Sequence, residues 1–411
     1  MKLDRTTAWA VTLVAVAAMA ISYIDRQALS VLATTVTKAL GIDDAAYGWL
    51  GAAFAGAYLV AGPFAGALVD ALGARRSLAG AILLWSCVAA LHALAPGFGT
   101  LLGLRLALGL AESPTFPAGA QVVQRVLPPA DRARGMSTLF VGMSLGGMLA
   151  PPLAIGIATR LSWRWAFVGT ALLAALWLPA WLAVTRAGAA REAMDRPPAA
   201  AGSGRDRARR LEAASHPAMV RGLVGLFAVA PASQFAFAWE SKLYVGQIHL
   251  QPQELAPYLM LSALLYDLGA LLFGDLASRR ARARGDAAPH RLLFGTGAAC
   301  AVTGMLLLAI AYTPARAVVG MGFAAVGRGA VVTLVNSDTL ARMPRRMVSA
   351  AGGVIASAQS LAGLLVNPVV GTVVKHHGFV PVLLALAAWT APLATTWLVW
   401  RPPEPPPERI T

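Results

Sequence analysis

The sequence is poor in charged residues. Asp, Glu, Lys and Arg make up only 13% of its 411 residues, while 57% of the residues are hydrophobic and the mean hydropathy is +0.64. Ordinary soluble domains contain about 25% charged residues, so the chain does not have the composition of a soluble globular protein. The composition predicts an integral membrane protein surrounded by a lipid bilayer.

Cysteine is nearly absent, since the chain contains only Cys87 and Cys300. The two residues lie in separate apolar segments, which excludes a disulfide framework and a cysteine-based metal site. The sequence also lacks a nucleophile–base set, metal-ligand spacing and a phosphate-binding loop. We therefore predict that the protein is not an enzyme and that it needs no cofactor.

Acidic residues are few. The chain has 19 Asp and Glu against 34 Lys and Arg, which gives a net charge of +15 and an isoelectric point near 10.9. In a soluble protein this excess would suggest nucleic-acid binding. Here the basic residues concentrate in loops on one side of the predicted membrane, the side that the positive-inside rule places in the cytoplasm. The excess therefore predicts cytoplasmic termini and no nucleic-acid partner.

Long apolar runs, in contrast, are abundant. A membrane-spanning helix needs roughly 20 apolar residues, and the sequence contains twelve such segments. They cover residues 8–38, 46–69, 77–95, 99–126, 132–160, 164–185, 217–247, 254–278, 291–311, 315–341, 346–376 and 379–400. The fold class predicted is an all-α membrane protein with twelve transmembrane helices in two pseudo-symmetric six-helix bundles.

A polar, Arg-rich stretch with Pro and Gly separates the sixth segment from the seventh and has the composition of a flexible linker. The predicted domains are an N-terminal bundle, a cytoplasmic linker, a C-terminal bundle and a cytoplasmic tail, over residues 1–185, 186–216, 217–400 and 401–411.

An acid and a base lie side by side near the middle of the first apolar segment. The charges of Asp25 and Arg26 cost free energy in the membrane interior unless they are paired or hydrated, so the two residues are a candidate functional site. Tyr23 and Arg26 share one face of the helix, while Asp25 points about 100° away, towards a neighbouring helix. A buried structural ion pair is the alternative.

The fourth apolar segment carries a second base and acid. Arg105 and Glu112 are seven residues apart, which places them on one helix face about 10 Å from each other. An acid beside an arginine can change its protonation state when its surroundings change, so Asp25 and Glu112 are predicted to couple protons. The alternative is that the two acids and the two arginines of this half neutralise one another permanently.

The second half contains fewer charged candidates. Arg328 is central in the tenth segment and could contact a substrate or close a gate with Glu240. A structural ion pair is an equal alternative. Gln359 and Asn367 offer uncharged hydrogen bonds, although Asn367 could instead satisfy a helix turn broken by the following proline. Trp239 is predicted to lie beside a cavity.

The loop after the second segment has a specific pattern, with its glycines, its acid and its base at Gly66, Asp70, Gly73 and Arg75. The glycines permit close helix approach, and Asp70 could cap the next helix while accepting from a base. The loop resembles the signature loop of the major facilitator superfamily, with Ala71 in place of the family's base.

A degenerate copy with Asp275 and Arg279 follows the eighth segment, as expected of a fold built from repeated halves. The segments 23–26, 105–112, 150–152 and 163–167 are similar to those of the anion:cation symporter family. That family includes bacterial hexuronate and sugar-acid transporters and vesicular glutamate and sialic-acid carriers.

The resemblance implies residue roles. The base matching Arg26 holds a substrate carboxylate, and the acids matching Asp25 and Glu112 take part in proton coupling. Arg105 matches a base that works with the second acid. Six further residues are then predicted to complete the binding site with Arg26, namely Tyr23, Arg105, Trp239, Arg328, Gln359 and Asn367. Glu240 and the residues of the two loop copies are predicted to act as gating or structural residues.

The function predicted is proton-coupled symport of a small organic anion, such as a sugar acid, by a monomer in a bacterial inner membrane that works by alternating access. A proton-driven drug or metabolite exporter and a transporter-like anion sensor are the alternatives.

Overall fold

A computed structural model describes residues 3–186, 188–195, 211–284, 291–344 and 347–401. Within these ranges the chain forms helices and no strands. They are α1 Arg5–Val31, α2 Ala33–Leu40, α3 Asp44–Leu72, α4 Ala74–Leu91, α5 Phe98–Glu112, α6 Thr115–Val126, α7 Pro129–Arg160, α8 Trp163–Thr185, α9 Gly188–Asp195, α10 Pro217–Gly246, α11 Leu255–Arg284, α12 Arg291–Ala309, α13 Pro314–Arg342, α14 Val348–His377 and α15 Phe379–Val399. Residues 402–411 of the predicted tail and residues 187 and 196–210 of the predicted linker lie outside the described residues.

Eleven helical stretches in the described ranges are long and apolar enough to cross a membrane. The fourth predicted segment, 99–126, is missing from this set because it consists of two shorter helices, α5 and α6. The break falls at Ser113 and Pro114, and Pro114 is the N-cap of α6. A proline has no N–H to continue the helical hydrogen bonds. The predicted all-α membrane fold is confirmed, with this crossing made of two pieces.

Helix ends follow local chemistry. The Asp4 carboxylate accepts from the backbone N–H of Thr7 at 2.7 Å, and Asp43 accepts from Ala46 at 2.8 Å, which caps α1 and α3. The hydrogen bond from the Thr7 backbone lowers the pKa of the exposed Asp4 carboxyl.

The chain divides into two compact units. The first contains residues 1–199, 237–245 and 251–260, and the second contains residues 200–236, 246–250 and 261–411. Helix α10 contributes its beginning to the second unit and residues 237–245 to the first. The predicted bundle boundaries at 185 and 217 remain a prediction.

In the first unit, α1 and α7 pack closely because two positions on α7 lack a side chain. A Cβ atom on Gly146 would collide with the Ala20 carbonyl oxygen and lie 2.8 Å from the Cβ of Tyr23. A Cβ on Gly142 would meet the Val16 carbonyl oxygen at 2.5 Å. Small residues at membrane helix interfaces permit this backbone approach, which sets α1 against the rest of the unit.

Gly146 therefore gives a testable prediction. We expect Gly146→Ala to lower the thermal stability and yield of the purified protein, because its methyl group forces α7 away from α1. Overpacking of this kind typically costs about 1–3 kcal/mol. Gly156→Ala on the same helix is the matched control, since a Cβ there meets nothing within 4 Å. Equal melting temperatures for the two variants in detergent would contradict this account of the α1–α7 contact.

In the second unit, a buried ion cluster joins the end of α13 to the start of α10. Asp338 accepts from Arg221 and from Arg342 Nε, the latter at 3.0 Å. The Arg221 guanidinium carbon lies 3.7 Å from the ring centre of Trp397 on α15. Arg221 is 1% exposed, so the carboxylate and the aromatic face stabilise its buried charge.

Candidate functional site

The centre of the first unit holds an ion pair between α1 and α5. Arg26 donates to Glu112 Oε2 through both Nε and Nη2, each at 3.0 Å, and the Ser22 hydroxyl donates to Oε1 at 2.8 Å. Glu112 is fully buried. Three hydrogen bonds thus orient the Glu112 carboxylate, and the ion pair engages the arginine that the sequence assigns to a substrate carboxylate.

Asp25 has different surroundings from Glu112. It is 2% exposed and accepts from Trp85 Nε1 of α4 at 3.1 Å. Its partner is on a neighbouring helix, in the direction that helical geometry predicts. No Lys or Arg in the described part of the chain lies within salt-bridge distance of this carboxyl group. A negative charge on Asp25 is therefore uncompensated by any nearby cation.

Arg105 is a buried base that, like Asp25, forms no salt bridge in the described part of the chain. It is 4% exposed, and within the described ranges it has no carboxylate partner; its Nε atom has no hydrogen-bond acceptor. Its guanidinium carbon lies 5.0 Å from the ring centre of Phe54 on α3. A guanidinium group in this state can receive a planar anion through two parallel hydrogen bonds.

Aromatic rings surround Arg26. Its guanidinium carbon lies 4.8 Å from the ring centre of Tyr23, 4.9 Å from that of Phe54 and 5.0 Å from that of Tyr58. Sequence reasoning found Tyr23 but missed Phe54 and Tyr58. Their i, i+4 spacing on a small-residue face of α3 was the available signal.

The site thus contains one arginine that is neutralised and one that is not, with aromatic walls and a second carboxyl group nearby. Such an arrangement can bind a carboxylate, and a proton taken up by either acid would change its net charge. No group of three His, Cys, Asp or Glu among the described residues could hold a metal ion.

Residues 237–245 of α10 add a second cluster to the first unit. Lys242 Nζ donates to Asp44 Oδ1 at 2.7 Å and to Thr37 Oγ1 at 3.1 Å. The Tyr47 hydroxyl donates to the Ala238 carbonyl oxygen at 2.7 Å, and its ring packs edge-on against Trp239 at 4.9 Å. The contacts tie this end of α10 to α2 and α3, and sequence reasoning did not single out Lys242 or Asp44 as site residues.

Two of the predicted site residues, Trp239 and Glu240, lie in the same part of α10 and contact neighbouring side chains. Trp239 is fully buried against Tyr47. Glu240 is 8% exposed and accepts from the Tyr244 hydroxyl at 3.2 Å.

The signature loop joins α3 to α4. Gly66 lies within α3, and Asp70 accepts from Gln121 Nε2 of α6 at 2.8 Å. Gly73 has a φ of +81°, which favours glycine, and it is the N-cap of α4 without a side-chain capping bond. The expectation that Asp70 caps α4 is therefore wrong, because the Asp70 carboxylate reaches α6 instead.

The base of this loop binds the first part of the predicted linker, which is an ordered helix. Arg75 Nη2 donates to Asp195 at the end of α9 at 2.7 Å, and Arg125 donates to the Met194 carbonyl oxygen at 2.9 Å. A Cβ on Gly73 would lie 2.9 Å from the same oxygen. Met194 is fully buried, so α9 packs on the loop where composition alone predicted a flexible chain.

The remaining predicted residues lie in the second unit. Arg328 is 5% exposed, donates to the Ala324 carbonyl oxygen at 3.2 Å and has its guanidinium carbon 5.8 Å from the ring centre of Tyr266. Asn367 is 3% exposed and donates to Gly363 O at 2.8 Å, one turn before the proline that follows it.

The Gln359 carbonyl oxygen accepts from Gln234 at 3.1 Å. Asp275 and Arg279 form an exposed i, i+4 ion pair at 2.6 Å within α11. Asp275 and Arg279 of the degenerate copy therefore lie within a helix and not in a loop.

Comparison with known proteins identifies the class. The model of the Major Facilitator Superfamily matches residues 15–367, so the chain belongs to this family of membrane transporters. The predictions of the family, of an integral membrane protein and of a transporter rather than an enzyme are confirmed.

Individual relatives are sugar-acid transporters by name. The D-galactonate transporter of Escherichia coli O6:H1 is 26% identical over 398 residues, covering 90% of this chain and 89% of its own. The galacturonate transporter of Dickeya chrysanthemi is 35% identical over 162 residues, covering 39% of this chain and 47% of its own length. This second match therefore spans less than half of that relative.

A solved structure shares the fold. The crystal structure of a bacterial homolog to the human lysosomal transporter Spinster superposes with a TM-score of 0.79. It covers 97% of both chains at 17% identity, and this likeness supports the fold alone.

Proposed function

We propose that the protein is a secondary active transporter that moves a small organic anion, such as a hexuronate or aldonate, together with protons by alternating access. The observation that carries this proposal is the unequal state of the two buried arginines in the first unit. Arg26 is bound to Glu112, whereas Arg105 has no carboxylate partner in the described part of the chain. A buried cation of this kind in a membrane helix marks a substrate pathway.

The roles of the four charged residues follow from their contacts. Arg105 provides the fork that receives the substrate carboxylate. A proton on Glu112 removes the charge that holds Arg26, and Arg26 then becomes available to the same substrate. Asp25, which lacks a nearby cation, carries a second proton.

The driving force is a proton gradient across a bacterial inner membrane, with both termini in the cytoplasm, no cofactor and a monomeric chain. The concentration of basic residues in the loops on one side supports this orientation. The names of the sugar-acid relatives support the substrate class.

Drug export is a second candidate. A quinolone resistance transporter of Acinetobacter baumannii is 33% identical over 174 residues, 39% of this chain. In the described part of the chain Arg105 is a buried cation without a salt-bridge partner, and this favours an anionic substrate instead.

The test uses purified protein in liposomes. We expect uptake of radiolabelled hexuronates or aldonates to rise when the outside is made acidic, and protein-free liposomes to show no such uptake. A quinolone is tested in parallel for proton-driven movement in the opposite direction. Quinolone movement without uptake of any carboxylate would replace the symport proposal by the export one.

A further inference from the structure

Phe54 is the residue that both buried arginines share. The ring centre of Phe54 lies 4.9 Å from the guanidinium carbon of Arg26 and 5.0 Å from that of Arg105. We propose that Phe54 is a positioning residue, whose aromatic face holds Arg105 in place to receive the substrate carboxylate while Arg26 stays with Glu112. This inference rests on the proposed anion transport.

The packing of α3 on α5 explains how the ring reaches Arg105. A Cβ atom on Gly109 would lie 2.5 Å from the Phe54 carbonyl oxygen and 3.1 Å from the backbone nitrogen of Tyr58. The missing side chain thus allows the two backbones to touch at this level. Arg105 is one turn from Gly109 on the same face of α5, so its side chain meets the ring of Phe54.

The neighbouring rings fix the orientation of Phe54. It is 8% exposed, and its ring is stacked on Tyr58 with centres 6.0 Å apart and planes inclined by 28°. Phe54 and Tyr58 are one turn apart on α3 and both contact Arg26. The ring therefore has little freedom to turn away from either cation.

Electrostatics makes the aromatic face important for Arg105. The face of a benzene ring carries partial negative charge and attracts a guanidinium group, most strongly where water is excluded. Arg105 has no salt-bridge partner in the described ranges, so the aromatic face of Phe54 contributes to stabilising its charge. An aliphatic side chain of similar size would fill the space without this attraction.

The test compares Phe54→Leu with Phe54→Tyr in the liposome uptake assay. Phe54→Leu removes the aromatic face from both arginines, and this loss of desolvated cation–π attraction should raise the KM for the carboxylate about 3- to 30-fold. The maximal rate should stay within about twofold, and Phe54→Tyr, which keeps the aromatic face, should retain a KM close to that of the original protein.

Phe64→Leu is the matched control, because this residue lies on the same helix and its side chain is 71% exposed. Size-exclusion elution and melting temperature check that each variant is folded. If Phe54→Leu does not fold, Phe54→Met takes its place as the aliphatic variant.

An unchanged KM in the folded aliphatic variant would overturn the inference, as would an equal loss in Phe54→Tyr. Either result, obtained while the original protein still accumulates the carboxylate, leaves the proposed transport intact. Absence of carboxylate uptake by the original protein would instead refute the proposed function itself.

Discussion

Arg105→Gln is expected to reduce carboxylate uptake at least about 25-fold, because the variant loses the charged fork while the rest of the site is unchanged. Removing one partner of a buried charge pair costs 2–5 kcal/mol or more, and each 1.4 kcal/mol corresponds to a factor of ten in affinity. The initial rate of uptake at low substrate concentration measures this loss directly.

Two further variants make the Arg105 experiment specific. Arg105→Lys keeps the charge but loses the planar fork, so we expect an intermediate rate. Arg160→Gln removes an exposed arginine at the end of α7 and should leave uptake unchanged. Normal uptake by Arg105→Gln would show that the substrate carboxylate binds elsewhere, with Arg26 as the next candidate.

Glu112→Gln is expected to weaken proton-driven accumulation while exchange of substrate across the membrane continues. Glutamine resembles the protonated acid in shape, so Arg26 is released permanently and no proton is gained or lost at this position. The original protein should accumulate its substrate up to about tenfold per pH unit for each coupled proton, because one pH unit corresponds to 1.36 kcal/mol. The variant should lose the roughly tenfold per pH unit that the Glu112 proton contributes, and only the part carried by Asp25 should remain.

The measurement compares gradient-driven uptake with counterflow, in which liposomes preloaded with unlabelled substrate exchange it for label. Glu254→Gln is a suitable control, since this exposed residue caps the helical turn before α11 and glutamine can form the same capping bonds. Full accumulation by Glu112→Gln would assign the coupling to Asp25 or to another group.

Much of the fold could be predicted from sequence because membrane crossing is a local property. A run of roughly 20 apolar residues must form a helix in lipid, since no water is present to satisfy the backbone. The break at Ser113 and Pro114 was less visible, because the apolar pattern continues through it. Helix α9 was missed because its few apolar residues, among them Met194, become buried only in the tertiary structure, where α9 packs against α4, α6 and α8.

The candidate site, like the fold, could be predicted from sequence only in part. Asp25, Arg26, Arg105 and Glu112 were identified because charges are rare and costly inside an apolar segment. Their pairing could not be read from spacing, since Arg26 and Glu112 are 86 residues apart and belong to different helices. Phe54 drew no attention because a single aromatic residue in a membrane helix is most often packed in the core or exposed to lipid.

By itself, then, the sequence determined which segments are apolar enough to enter the membrane, which loops concentrate positive charge and which few residues place charge in the apolar interior. Only the tertiary structure decided which acid neutralises which base, because that choice depends on helix contacts set by glycines such as Gly109 and Gly146. The physical reason is that hydropathy is summed along a helix, whereas the Arg26–Glu112 ion pair requires two side chains from different helices to meet within about 4 Å.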